Sequence, residues 1–356
     1  MTGEGDWKIG RRRALALFAA GLSGGGAMLG GGIWPTFAAD VGDAGADRKP
    51  HRIFMITYRG ETEAEQGFRD YFAQRQIPVE IISRDIGRDL SKMPALIDEI
   101  RATKPDLIYT WGTPVTLATV GQYDAPGDKK PITDIPVVFS MVAAPVQAKV
   151  VPALESSGRN VTGAFHVVPL DAQMRAMQSY RSFDTVGVLY SQGEQNSVAL
   201  VEQLRGLSAT MGFRLVTQTF AVDTAGKPTA EGVPEAIARM KSEGVDWLYL
   251  LPDTFLGTIY DILGPAAIAQ KLPCFGAAEL SIHAGVAVAG LVCRYYSVGQ
   301  LAASKAEKIL LDGIKPADIP VETLKRFSFI VNMPVASRLG LYPPLAMLNY
   351  AEVIVS

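Results

Sequence analysis

From Arg52 onward the chain alternates short β-rich runs with amphipathic stretches of helical period. A chain built this way folds into parallel sheets with helices on both faces. Ile53–Thr57 reads as the first strand, and Phe68, Tyr71 and Phe72 then recur at i, i+3 and i+4, the spacing of a helix face. Val79–Ile82 reads as a second strand, and Leu96, Ile97 and Ile100 give the next helix its buried stripe. Leu107–Thr110, the helix opened by Thr113-Pro114, and Val137–Ser140 complete one half. Pro114 suits a first helical turn, where its missing N–H has no partner to lose.

The pattern starts again after Asn160–Phe165. A helix near Asp171–Ser179, a strand at Val186–Tyr190 and a helix with Val201, Leu204, Leu207 and Met211 inward open a second half. Arg214–Phe220, Trp247–Leu250 and Cys274–Gly276 read as strands, separated by helices around Pro234–Ser242 and Phe255–Gln270. The run Val286–Val292, the helix Leu301–Leu311 and the strand Phe327–Val331 are left over, and suit a chain that crosses back to the first half and returns. The expected fold class is therefore α/β, with two doubly wound parallel-sheet lobes. One lobe is expected over 51–162 plus about 288–323, the other over 163–287 plus about 324–356.

Before this pattern, Arg11-Arg12-Arg13, the apolar run Ala14–Trp34 and the small residues up to Ala39 have the three parts of an export signal. Consecutive arginines and a glycine-diluted apolar run lean toward the twin-arginine route, though Gly10 and Ala14 flank the arginines where that motif usually carries other residues. Cleavage is expected near Ala39, with 40–50 as a linker. No cysteine stands at that junction, so a lipoprotein is not expected, and the protein is expected in the periplasm. The competing reading is a membrane anchor, since the run has about the roughly 20 residues that span a bilayer.

Formal charge is −2, with no basic stretch of the kind that binds nucleic acid. Cys274 and Cys293 are too few for a disulfide scaffold, and read as small buried residues or as one pair. His51, His166 and His283 lie outside any zinc pattern, so no metal and no cofactor are expected. The glycine run at 24–32 follows no strand and is discounted as a phosphate loop. Asn160-Val161-Thr162 has the form of a glycosylation sequon but reads as a turn entering a strand.

In open parallel sheets, ligands bind beyond the carboxyl ends of strands. Those ends read Tyr58-Arg59-Gly60, Trp111-Gly112-Thr113, Ser140-Met141-Val142, Tyr190 to Glu194, Pro252-Asp253-Thr254 and Ala277-Ala278-Glu279. The Gly112-Thr113 turn is a candidate carboxylate seat, with Ser140 as a second donor. Asp253 and Glu279 are candidate partners for an ammonium group. Tyr58, Trp111, Tyr190 and Tyr296 are candidate walls for an apolar or aromatic body. Each has a structural alternative: Thr113 and Asp253 as helix caps, the aromatics as core or rim.

Pro136 to Ser140, Ala144-Pro145-Val146, Gly158 to Gly163, and Val188 to Ser197 together resemble the tryptophan/tyrosine-type ABC transporter substrate-binding proteins, of the periplasmic-binding protein type I fold. Asp318 to Val321 and Val331-Asn332 fit the same family. The resemblance implies two lobes joined by a multi-stranded hinge that closes on a small ligand, which an inner-membrane ABC permease then receives. It also places Thr113, Ser140, Glu194 and Asp253 at cleft positions. Since the sequence offers no nucleophile–base pair or metal cluster, a monomeric carrier rather than an enzyme is expected. Ala144 departs from the acidic residue common before that proline, which leaves the ligand open. An amino acid, aromatic or branched, is the expected class. A sensing module for a receptor kinase and a periplasmic α/β enzyme are the alternatives.

Overall fold

The computed structural model describes residues 49–124 and 131–355. The expected signal peptide and all but the end of the linker lie outside the described residues. In the first half, β1 (His51–Thr57), α1 (Glu63–Gln74), β2 (Val79–Asp85), α2 (Met93–Thr103), β3 (Leu107–Trp111), α3 (Gly112–Val120), β4 (Val137–Val142) and β5 (Val161–Phe165) alternate as the pattern requires. The second half runs α4 (Leu170–Tyr180), β6 (Thr185–Tyr190), α5 (Gln195–Met211), β7 (Arg214–Thr219), a small hairpin of β8 (Ala221–Val222) and β9 (Pro228–Thr229), and α6 (Val233–Ser242). It continues with β10 (Trp247–Leu250), α7 (Tyr260–Ala269), β11 (Cys274–Gly276), α8 (Glu279–His283), β12 (Ala289–Val292), α9 (Tyr295–Leu310), β13 (Ser328–Asn332), α10 (Met333–Leu339) and β14 (Glu352–Ile354).

These strands form a five-stranded sheet, ordered β2-β1-β3-β4-β5, and a seven-stranded sheet, ordered β14-β13-β12-β11-β10-β6-β7. The first is parallel throughout, as expected. The second is parallel apart from one antiparallel pair, β12 with β13. The reason is the route of the chain: β13 enters from the first lobe and so runs against β12. The central strands β3 and β4 are buried at every residue, which is why their sequences are almost unbroken apolar runs.

Among the described residues, three passages join the lobes, between Phe165 and Leu170, between Val292 and Tyr295, and between Glu322 and Ser328. β5 stays in the first sheet to Phe165 and β12 lies wholly in the second, so the first two passages sit a few residues beyond the expected 162 and 287. Between the last two passages, α9 covers the first sheet. Its Val298, Ala302, Ala303 and Ala306 join the core formed by Ile53, Phe68, Phe72 and Tyr109. Helix α1 opens with a capping box, Thr62 accepting from the α1 backbone while Glu65 accepts from the Thr62 amide. Phe68 and Phe72 point inward, whereas Tyr71 is half-buried and its hydroxyl donates to Glu307 of α9.

Helices α1 and α9 meet at two glycines. A Cβ on Gly67 would stand 2.0 Å from the Tyr296 carbonyl oxygen, and one on Gly299 would stand 1.9 Å from that of Ala64. Backbone packs directly on backbone at this crossing. Cys274 and Cys293 are both buried free thiols. Among the described residues no helix is long and apolar enough to cross a membrane, and no group of three or more His, Cys, Asp or Glu is placed to hold a metal ion.

Candidate functional site

The carboxyl ends of both sheets face one another across a cleft with two connected chambers. The inner one is a cavity of about 50 Å³. Arg59, Trp111, Thr113, Met141 and His166 line it from one side, Asn196, Asp253, Thr254 and Tyr260 from the other, and Tyr295 from a passage. The outer one, of about 750 Å³, is lined by Tyr58, Arg88, Pro114 and Leu117 facing Glu194, Lys227 and Phe255. Thr113, Asn196 and Thr254 border both. The outer volume lies in the range of ordinary small-molecule sites. Gln122 donates to Gln195 at 3.1 Å, joining the loop after α3 to the start of α5 beside the outer chamber.

Local structure explains these placements. Asp85 at the end of β2 accepts from the Thr57 hydroxyl at 2.9 Å and from the Gly60 amide at 2.8 Å, pinning the loop that carries Tyr58 and Arg59. Tyr58 stacks on Trp111, with ring centroids 6.2 Å apart and planes 13° from parallel. Arg59 lies over the same indole, its guanidinium carbon 4.8 Å from the ring centroid. Gly112 takes φ +79°, a left-handed turn that lets β3 feed straight into α3. Met141, at φ +60° and buried, sits where the β4–β5 register shifts, so strained backbone floors the cavity.

Of the expected site residues, Trp111, Thr113 and Asp253 line the inner cavity, and Tyr58 and Glu194 the outer chamber. Helix α3 has no side-chain cap, so Thr113 is not spent as one. Asp253 is engaged: one oxygen accepts from the Ser191 amide and the Ser197 hydroxyl, the other from the Ser191 hydroxyl and the Leu256 amide, four bonds of 2.7 to 2.9 Å. The Leu256 bond is the capping role weighed for it in sequence. Glu194 accepts from the Thr254 and Phe255 amides.

The other four lie outside both chambers. Ser140 is fully buried in β4 with no partner for its hydroxyl, one residue from the cavity-lining Met141. Tyr190 packs on the core of the second lobe. Tyr296 donates to Asp70, bridging α9 to α1. Glu279 accepts from the Tyr295 amide at 2.9 Å and meets Arg294 at 3.1 Å, and Arg294 reaches Glu352 of β14. It is therefore tied to the second passage, and burial pushes its carboxyl up to about 7. Arg59, His166, Asn196, Tyr260 and Tyr295 were not anticipated. Arg59 stands in the quoted strand end Tyr58-Arg59-Gly60, and His166 directly follows β5, so position alone marks both.

Two titrating groups in the cleft move in opposite senses. Burial holds His166 down to about 4, helped by the nearby Arg59 charge, so its ring is neutral at ordinary pH. Burial, with the neighbouring Asp253 charge, pushes Glu194 up to about 7 from the ordinary 4.5. A carboxyl that holds its proton more tightly when folded contributes stability below pH 4.5, and that contribution is lost as pH rises through 7. Glu194→Gln is therefore expected to gain in melting midpoint on the wild type as pH rises from about 5 to 8. A difference constant over that range would contradict the assignment.

The comparisons with known proteins bear on the family and the fold. A tyrosine-binding protein from Clostridioides difficile is 27% identical over 255 residues, 71% of this chain and 68% of that protein. A conserved domain protein from Vibrio cholerae superposes with a TM-score of 0.73 at 26% identity, covering 86% of this chain and 99% of that one. The fold is also that of an ABC domain from Streptococcus pneumonia solved with L-Trp, with a TM-score of 0.74, 23% identity, and 86% and 100% coverage. The profile of ABC transporter substrate binding proteins matches residues 61–355. The chain belongs to the family of ABC transporter substrate-binding proteins.

Proposed function

We propose that this protein is the exported receptor of an ABC importer, which takes an amino acid of aromatic or branched type into the interlobe cleft and presents the closed form to a membrane permease. Proteins of the family bind small molecules and deliver them to ABC permeases rather than transform them. The observation that carries the reading is the two-chambered cleft at the carboxyl ends of both sheets, lined from both lobes and spanned by only three chain passages. A ligand that touches both walls interacts fully only when the lobes approach, and shifts the opening equilibrium by that differential affinity. The ligand class is supported by the tyrosine-binding relative and the L-Trp-bound neighbour. Tyr58, Pro114, Leu117 and Phe255 of the outer chamber suit such a side chain. The arginine-led leader at residues 11–39 supports a periplasmic workplace, and the carrier is read as soluble and monomeric.

Thermal melting of the protein against the common amino acids tests the reading. One amino acid, at about 100 times its dissociation constant, is expected to stabilise the fold by about 2.7 kcal/mol. The same ligand is expected to shrink the radius of gyration in solution scattering. Stabilisation by no amino acid would overturn the ligand class, and binding without compaction would overturn closure.

A further inference from the structure

Polar atoms left without a partner in a buried wall point to what completes them, because burying a donor unpaired is costly. One unpaired donor belongs to the inner cavity, Nε1 of Trp111, 7 % exposed. Nδ1 of His166, 6 % exposed, is also without a partner, but a neutral ring has one donor and one acceptor nitrogen, so it does not count as a donor. Beside them lies Arg59, over the Trp111 ring. Among the described residues it takes part in none of the ion pairs. The uncapped start of α3 borders the same space through Gly112 and Thr113. An indole N–H, a guanidinium and a helix start all favour acceptors and negative charge.

The one acid in the inner lining is Asp253, and it offers little in return. A carboxylate has about four lone-pair sites, and the four bonds from Ser191, Ser197 and Leu256 fill them. A ligand ammonium placed here would meet no free carboxylate. Glu194 stands in the outer chamber, with both oxygens already accepting backbone amides.

We infer that Arg59 is the specificity-determining residue of the cleft, and that the site selects its ligand by a carboxylate held in the inner cavity, without requiring an ammonium group. The inference rests on the solute-binding reading and sharpens it. The ligand class becomes organic carboxylates with an apolar or aromatic body in the outer chamber, amino acids and their deaminated counterparts alike. About 50 Å³ suits a head group, and the outer chamber suits a body.

Matched sets of three compounds test this by calorimetry on the full chain: L-tryptophan with indole-3-propionate and tryptamine, and L-phenylalanine with 3-phenylpropionate and phenethylamine. In at least one set the amino acid and its deaminated acid are expected to bind within tenfold of each other. The amine is expected to bind at least 100-fold more weakly. Arg59→Gln should weaken both acids at least 30-fold with the melting midpoint of the empty protein unchanged, and Arg59→Lys should restore part of the loss. An amino acid that binds while its deaminated acid falls 100-fold overturns the inference and leaves the solute-binding role standing. An amine that binds as well as the amino acid, or an Arg59→Gln variant of unchanged affinity, overturns it too. No binding by any acid overturns the inference together with the aromatic ligand class.

Discussion

Replacing Asp253 by alanine is expected to lower the unfolding stability of the second lobe by about 3 to 5 kcal/mol and to abolish ligand binding as a consequence. The carboxylate gathers the segment after β6, the start of α5 and the turn after β10 onto one point through Ser191, Ser197 and Leu256. Removing it leaves four donors facing a hole. Ser191, Ser197 and Leu256 are buried, so water cannot easily replace the lost acceptor. Asparagine keeps the shape but has one acceptor oxygen, so Asp253→Asn should lose less than alanine and more than a surface change. Trp247, buried in β10, reports the unfolding of this lobe by fluorescence in urea. If Asp253 instead held a ligand ammonium, alanine would cost affinity and leave the urea midpoint of the empty protein in place. That outcome would overturn the clamp.

A valine at Gly299 is expected to cost at least about 3 kcal/mol, or to prevent folding of the first lobe. The contact is reciprocal: position 299 of α9 abuts the Ala64 carbonyl of α1, and position 67 of α1 abuts the Tyr296 carbonyl of α9. Side chains can rotate away from an intruding atom, but two backbones can only separate. Separation would open the core that Phe68, Val298 and Ala302 share. Gly206 in α5 is the internal control, because nothing lies within 4 Å of a Cβ placed there. Gly206→Ala should be neutral or stabilising by up to about 1 kcal/mol. Melting by circular dichroism checks both, and equal behaviour of the two sites would refute the close-contact argument.

Much of the architecture was legible because parallel strands covered on both faces are almost wholly apolar. Leu107–Trp111 and Val137–Val142 show this most plainly. The antiparallel β12–β13 pair was not legible, since strand direction depends on which lobe the chain has just left. Short elements after Gly276, namely α8, α10 and β14, carry too few periodic residues to register. In the cleft, strand ends pointed to the right places but not to the right atoms. Asp253 was visible as an acid near a ligand, but only the coordinates reveal that its oxygens are already occupied by Ser191, Ser197 and Leu256. Glu279 and Tyr296 lie near strand ends in sequence, yet their side chains turn to Tyr295 with Arg294 and to Asp70. Arg59 and His166 were passed over because a lone cation and a lone imidazole carry no pattern. Their meaning comes from what the cavity lacks.

The route of α9 has a consequence for how the protein is made. The core around Ile53 and Phe68 is closed by Val298, Ala302, Ala303 and Ala306, and Lys305 of the same helix is buried against Glu322 and the Pro320 carbonyl. A nascent chain that has already released every strand of the first sheet still exposes one face of it until residues near 322 have been synthesised. Contacts so distant along the chain close slowly. The amino-terminal lobe, although its strands are made first, is therefore completed only when most of the chain has been synthesised, and a translation product cut short within α9 presents an uncovered apolar sheet to the quality-control machinery of the cell.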